Sequence, residues 1–210
     1  MWTTRLRERA VGMLPPEKLL PDRQPAYMAS WVYIFGVLTI AAFVVVVVSG
    51  VVLGLWGPAW WHVSSVGHFI NSLHFWSVQL FFFAMVVHLW AKFFMGAWRG
   101  GRGGTWVTGA VAFLIAIGTA FTGYLSQQNF DSQWIATEGK DGLDSVGIGA
   151  FFNALDFGQM YTFHVILLPV VVVALIVWHV LLVRKHGIVP PYPLKERREL
   201  AAVEGGEGVQ

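Results

Sequence analysis

Four stretches of this chain are apolar for long enough to cross a bilayer: near Ser30–Leu55, His68–Met95, Trp106–Leu125 and Tyr161–Val183. A spanning helix needs about 20 such residues. In hydrocarbon every backbone polar group must find its partner inside the protein, so only helices and closed barrels span. Even the β-branched run "FVVVVVSGVVLGL", Phe43–Leu55, therefore reads as helix. The chain is 56% hydrophobic and 12% charged, about half the charge of an ordinary soluble domain. The expected fold is all-α: a bundle of four transmembrane helices. The net charge of +2 is too small to point to nucleic acid, and the absence of cysteine excludes disulfides, iron–sulfur ligation, c-type haem attachment and thiolate metal sites within this chain.

Charge placement orients the spans. Arg5, Arg7, Arg9, Lys18 and Arg23 precede the first; Arg99 and Arg102 follow the second; Arg184, Lys185, Lys195, Arg197 and Arg198 follow the fourth. The other two connections are nearly free of basic residues, and Lys140 sits there among Asp131, Glu138, Asp141 and Asp144. The excess of basic residues on one side places both termini in the cytoplasm. Residues 1–27 have the charge and length of an amphipathic segment lying on the membrane face, and lack the pattern of a cleavable signal. Residues 28–192 form the bundle and residues 193–210 a cytoplasmic tail.

Histidine is costly at membrane depth and needs a partner. His74 and His88 are fourteen residues apart in the second span, and His164 and His179 fifteen apart in the fourth. Such intervals cover ~21 Å, close to four helical turns, so each pair shares a face. The second and fourth spans run parallel in an up-down-up-down bundle. His74 then meets His164 in the outer half of the membrane, and His88 meets His179 in the inner half. Two opposed imidazoles make an axial pair for haem iron, and a flat apolar macrocycle fits between helices with small facing residues. Zinc or copper would need further ligands, which these depths do not offer. Histidines hydrogen-bonded across helices in a purely structural role are the bland alternative. Gly36 and Gly50 in the first span, and Gly109 and Gly123 in the third, repeat at the same fourteen-residue interval; glycine lets backbone approach a macrocycle closely. His62, His68 and His186 stand at span ends and read as interfacial, with a proton or quinone role as the alternative.

Four segments carry a family likeness: "FGVLTIAAFVVVVVSGVVLGL", "SLHFWSVQLFFFAMVVHLWAKFFMGAW", "TWVTGAVAFLIAIGTAFTGYL" and "FHVILLPVVVVALIVWHVLLVRKHGIVPP", the last including Pro169. From about Pro25 to Tyr192 the chain resembles the N-terminal four-helix domain of the cytochrome b/b6 family, the core of Rieske/cytochrome b quinol-oxidising complexes. The resemblance implies that His74 and His164 ligate an outer, low-potential haem b, and that His88 and His179 ligate an inner, high-potential one. The fifteen-residue gap and short chain resemble the split form, whose remaining helices belong to a separate subunit. The family's Leu-Pro-Trp-Gly-Gln segment, which lines the outer quinol site, is replaced here by "GYLSQQNFDSQW". The arginines that commonly precede the first and third ligands, and neutralise haem propionates, are replaced by Asn71 and Gln159. The second-half Pro-Glu-Trp-Tyr motif and the extra-haem cysteine of some split forms are absent from this sequence.

The expected function is a dihaem cytochrome b subunit of a respiratory membrane oxidoreductase, carrying electrons across the membrane, exchanging them with the quinone pool and not catalytic alone. Lys92, Arg99, Arg184 and Lys185 border the inner end, where cations hold propionates or stabilise a reduced quinone; their plain alternative is membrane anchoring. Expected partners are a second-half cytochrome b subunit, a Rieske or other iron–sulfur or cytochrome c subunit, quinone and lipid. Two alternatives stand beside this: an electron conduit for a non-Rieske redox module, whose partner docks over the acidic loop Asp131–Asp144, and a non-redox membrane scaffold.

Overall fold

A computed structural model describes residues 2–13, 15 and 31–189. The tail at 193–210 and the boundary near residue 27 lie outside the described residues. Helix α1, Trp2–Met13, buries none of its residues. A single 3-10 turn, Trp31–Tyr33, leads into α2, Ile34–Trp56. A short helix α3, Pro58–Val63, follows, then α4, Ser65–Phe94, and α5, Gly103–Leu125. Helix α6, Phe130–Ser145, precedes a last span built from α7, Phe157–Thr162, a π turn, Phe163–Leu167, and α8, Leu168–His186.

Four helices are long and apolar enough to cross a membrane: Trp31–Trp56, Ser65–Phe94, Gly103–Leu125 and Phe157–His186. Their starts differ from the sequence expectation where polar caps act. Ser64 accepts from the Gly67 amide at 3.3 Å, so α4 begins three residues before His68. Asp156 accepts from the Gln159 amide at 3.0 Å and starts the last span at Phe157. The acidic connection expected as a loop is helix α6. Asn129 and Ser132 form a capping box, each side chain bonding the other's backbone amide at 2.8 and 3.0 Å, which satisfies two donors that a helix start leaves free. The corner between α2 and α3 is made by Gly57 at φ 74°, a conformation that side chains disfavour.

Valines and aromatics cover the outside of the spans: Val44, Val48, Trp76, Phe83, Leu114 and Val170 are all exposed. In water such a surface would aggregate; it suits a lipid environment. The spans pack as two pairs, α2 against α4 and α5 against α8, with less contact between pairs. Among the described residues, α4 and α8 share little backbone contact. At mid-depth Ala42, Phe81 and Ala116 form a buried cluster, with Phe43, Val46, Phe82 and Met85 against it. A second cluster, Leu125, Ala136, Ala154 and Met160, seats α6 on the end of the bundle that carries the acidic residues.

Candidate functional site

The histidine-bearing helices α4 and α8 stand apart, and their side chains meet across the gap. The His74 and His164 rings lie with centres 6.2 Å apart and planes at 86°. A metal–imidazole bond of about 2.0 Å, with the nitrogen about 1.1 Å from its ring centre, places two ring centres about 6.2 Å apart across one metal ion. Nearer the basic end, His88 and His179 lie close enough to interact electrostatically.

Each imidazole rests against one glycine. A Cβ built on Gly50 would come 3.1 Å from His74 Cε1, one on Gly36 3.1 Å from His88 Cε1, and one on Gly109 3.0 Å from His179 Cε1. On Gly123 it would fall 2.8 Å from both His164 ring nitrogens and closer still to Cε1. The sequence pattern set these glycines against a macrocycle; the structure puts them against the imidazole rings.

The glycines also explain the hydrogen bonds. A ring lying over a glycine reaches the carbonyl one turn earlier, which keeps a second lone pair beside its helical bond. His164 Nδ1–H donates to the Thr119 carbonyl, four residues before Gly123, at 2.8 Å. His179 Nδ1–H donates to the Thr105 carbonyl, four before Gly109, at 2.9 Å. His74 Nδ1, beside Gly50, lies 3.0 Å from Ser49 Oγ. The Ser49 hydroxyl donates to the Val45 carbonyl at 2.6 Å, so it accepts from His74. Carbonyls only accept, so these three rings carry their proton on Nδ1 and keep a lone pair on Nε2. That is the tautomer of a metal ligand whose second nitrogen is held by the protein. The fourth ring departs from this. The residue four before Gly36 is Val32, inside the 3-10 turn rather than the helix, and His88 Nδ1 is buried with no hydrogen-bond partner.

His164 sits in the π turn. The Leu168 amide bonds the Phe163 carbonyl, five residues back, and Pro169 follows, with no N–H to give and a ring that crowds the carbonyl four before it. A π turn accommodates one residue more than an α turn. The fifteen-residue interval from His164 to His179 is thereby brought into the phase of the fourteen-residue interval from His74 to His88. The sequence shows both intervals but not this equivalence; Pro169 is the one visible cue.

The residues standing in place of the family's arginines are engaged elsewhere. Asn71 and Gln127 form a reciprocal amide pair, both hydrogen bonds at 3.1 Å, and His62 Nε2 lies 2.9 Å from the Gln127 carbonyl, so it donates there. Gln159 accepts from the Asn153 amide at 2.6 Å and donates to the Phe151 carbonyl at 3.3 Å. At the basic end Lys92 Nζ is buried without a hydrogen-bond partner among the described residues, 4.2 Å above the Tyr33 ring, and the Tyr33 hydroxyl donates to the Val189 carbonyl. Lys92 stands one turn beyond His88 and suits an anionic group such as a carboxylate. Arg99, Arg184 and Lys185 are exposed. Gln127, Ser49, Thr105, Thr108 and Thr119 went unremarked in the sequence, and only a place one turn or less ahead of a glycine marks the last four.

The family described as Cytochrome b(N-terminal)/b6/petB matches residues 79–204. This chain belongs to the cytochrome b family. The match takes in His88, His164 and His179, while His74 and the first span precede it. Among curated relatives, cytochrome b6 of Heliobacterium modesticaldum is 26% identical over 209 residues, covering 89% of this chain and 98% of the relative. The menaquinol:cytochrome c reductase cytochrome b subunit of Geobacillus thermodenitrificans is 25% identical over 199 residues, covering 84% and 88%. A solved chain of a hyperthermophilic respiratory Complex III shares the fold, with TM-score 0.66 and 20% identity over 98% of this chain and 63% of that one. The chain is thus an integral membrane cytochrome b-type subunit of a membrane electron-transport complex, and the cytochrome b family is one of haem b proteins.

Proposed function

We propose that this chain binds two non-covalent b haems, one between His74 and His164 and one between His88 and His179, and carries electrons across the membrane between them. Haem supplies one-electron redox chemistry, and the protein supplies ligation, spacing and electrostatics. The observation that carries the proposal is the set of facing imidazoles on two helices that share little backbone contact. Three keep Nε2 free for a metal, and one facing pair has the ring separation that a single metal ion requires. Lys92 serves as the carboxylate partner at the basic end, with Arg99, Arg184 and Lys185 near it. The basic end faces the cytoplasm, both termini included. Residues 1–27 lie on that membrane face, 28–192 are the dihaem domain and 193–210 a tail. Quinone exchanges electrons at the basic end. The partners are the remaining subunits of a bc-type complex: a second-half cytochrome b subunit and a Rieske or other iron–sulfur or cytochrome c protein.

A second reading concerns the acidic end. The neutral Asn71–Gln127 pair occupies the place of a charged propionate partner, and α6 occupies the place of the quinol-lining segment. Both favour a peripheral redox module docked over α6, with the outer quinol site altered or lost.

Pyridine haemochrome analysis of the purified chain should give two b-type haems, all extractable by acid–acetone. A single haem, none, or haem retained covalently overturns the proposal; none at all is the result expected of a non-redox scaffold.

A further inference from the structure

The last residue of α8 reaches back toward the basic-end ligand through one threonine. His186 Nδ1 lies 3.1 Å from Thr105 Oγ1, and the same residue's carbonyl accepts from His179 Nδ1–H at 2.9 Å. Thr108 closes the group: its hydroxyl donates to the Thr105 carbonyl at 2.9 Å and lies 3.2 Å from His179 Nδ1. His186, Thr105 and His179 are all half-buried, and His186 is the last residue of the span. Among the three other imidazole sites only His88 stands near this end, and it has no hydrogen-bond partner. At the basic end His179 and His186 thus share one residue, Thr105, which meets His179 with its carbonyl and His186 with its hydroxyl.

We propose that His186 is a proton-coupling residue for the basic-end haem, acting through Thr105 on His179. The proposal rests on the reading of His88 and His179 as haem ligands. An imidazole is the side chain that ordinarily changes charge between about pH 5 and 8. Neutral His186 takes the Thr105 hydroxyl hydrogen at Nδ1. Protonated, it donates Nδ1–H instead and turns that hydroxyl round, placing a positive charge beside Thr105. A cation there weakens the pull of the Thr105 carbonyl on the His179 proton, so His179 gives less electron density to iron. Both this and direct attraction favour the ferrous state, which carries one positive charge fewer. By reciprocity, reduction of the iron favours protonation of His186. The balanced step is one electron, from the other haem or from a quinol, reducing ferric to ferrous iron, with one proton taken from water on that face by His186. The other charged and titratable groups at this end are Arg184 and Lys185 on α8, Arg102 before α5, Lys92 and Arg99 on and after α4, and Tyr33 before α2. The arginines keep their charge throughout, and Lys92 and Lys185 remain in every variant below.

The test is potentiometric titration of the haem-loaded complex across pH 5–9, each haem followed by its own absorbance. In the unaltered protein the basic-end haem's reduction equilibrium should fall as pH rises over part of that range, by up to tenfold per pH unit, about 59 mV. His186→Gln should flatten that slope and leave the other haem's profile unchanged. Thr105→Val should reduce the slope and Thr105→Ser restore it. Two haem components with the full slope kept in His186→Gln overturn the coupling while sparing the haem reading; absence of a second component overturns the haem reading itself. If His186→Gln does not assemble, the threonine pair decides: equal slopes in Val and Ser overturn the proposal, and loss in Val with recovery in Ser supports it.

Discussion

Replacing Gly123 by alanine should cost the protein one haem while leaving the bundle folded. The new Cβ falls 2.8 Å from His164 Nδ1 and Nε2, and nearer still to Cε1, where ordinary carbon contacts need about 3.5 Å. The ring must move by about an ångström. It has little freedom to do so, because Nδ1 is tied to the Thr119 carbonyl at 2.8 Å. That bond would stretch beyond the roughly 3.2 Å limit of a good hydrogen bond, and a metal bond of about 2 Å tolerates less still. Displacing a ligand's supporting contacts costs metal sites ~10–100-fold in affinity, and overpacking costs ~1–3 kcal/mol. Alanine's helix preference returns about 1 kcal/mol, so the fold itself survives. Gly50→Ala touches the same haem more gently, since its Cβ would lie 3.1 Å from His74 Cε1 and 3.5 Å from Nδ1. A few tenths of an ångström relieve that. Gly118, also in α5, has nothing within 4 Å of its added Cβ. Pyridine haemochrome should therefore give one haem per chain for Gly123→Ala and two for Gly118→Ala and Gly50→Ala, with the lost component being the His74/His164 one and helical circular dichroism unchanged throughout. Two unaltered haems in Gly123→Ala, or equal loss in Gly118→Ala, would refute the reasoning.

Other substitutions separate the two sites. His88→Ala and His179→Ala should each remove the same redox component, and His74→Ala and His164→Ala the other; a component shared by His74→Ala and His179→Ala in redox titration would disprove the pairing. The His74/His164 haem should have the lower potential of the two, because its arginine positions hold Asn71 and Gln159, both engaged elsewhere, and introducing Asn71→Arg should raise that potential, read by the same titration. Deleting Val165 together with Pro169→Ala should turn Phe163–Leu167 into plain α-helix and still retain the His74/His164 haem, since fourteen residues then separate the ligands as in α4; its loss in the haem spectrum would contradict the role given to the π turn.

Most of the architecture was legible because lipid leaves few choices. Apolar runs of sufficient length must be helices, and histidines among them stand out against valine and phenylalanine. The glycine interval was equally visible, although its physical meaning was not. The sequence shows that Gly109 and Gly123 repeat with the histidines. Only the structure shows that each opens a carbonyl one turn away to a ring nitrogen. Helix α6 was missed because four acidic residues among polar ones resemble a solvated loop, and its start depends on a reciprocal contact between Asn129 and Ser132 that composition does not reveal. Asn71 read as the loss of a charge. Its pairing with Gln127, fifty-six residues away, is a tertiary fact with no local signature.

The departures at the two ends of the bundle share a physical logic. At the acidic end the imidazoles are held by a carbonyl and by Ser49, while neighbouring amides satisfy one another and α6 covers the end. Most polar groups there are paired among themselves; among the described residues Trp61 Nε1 is the buried exception. At the basic end His88 Nδ1 and Lys92 Nζ are buried without hydrogen-bond partners among the described residues, and His179 is linked through Thr105 to His186. Buried polar atoms without partners are costly, so they persist where a bound group or a moving proton completes them. An end whose groups around the imidazoles are uncharged and mostly paired suits transfer of electrons alone to a docked protein. An end with a buried cation and an imidazole at the membrane surface suits transfer of electrons with protons, which is what a quinone requires. The difference between the ends therefore argues for placing quinone chemistry beside His88 and His179, and protein-to-protein electron transfer beside His74 and His164.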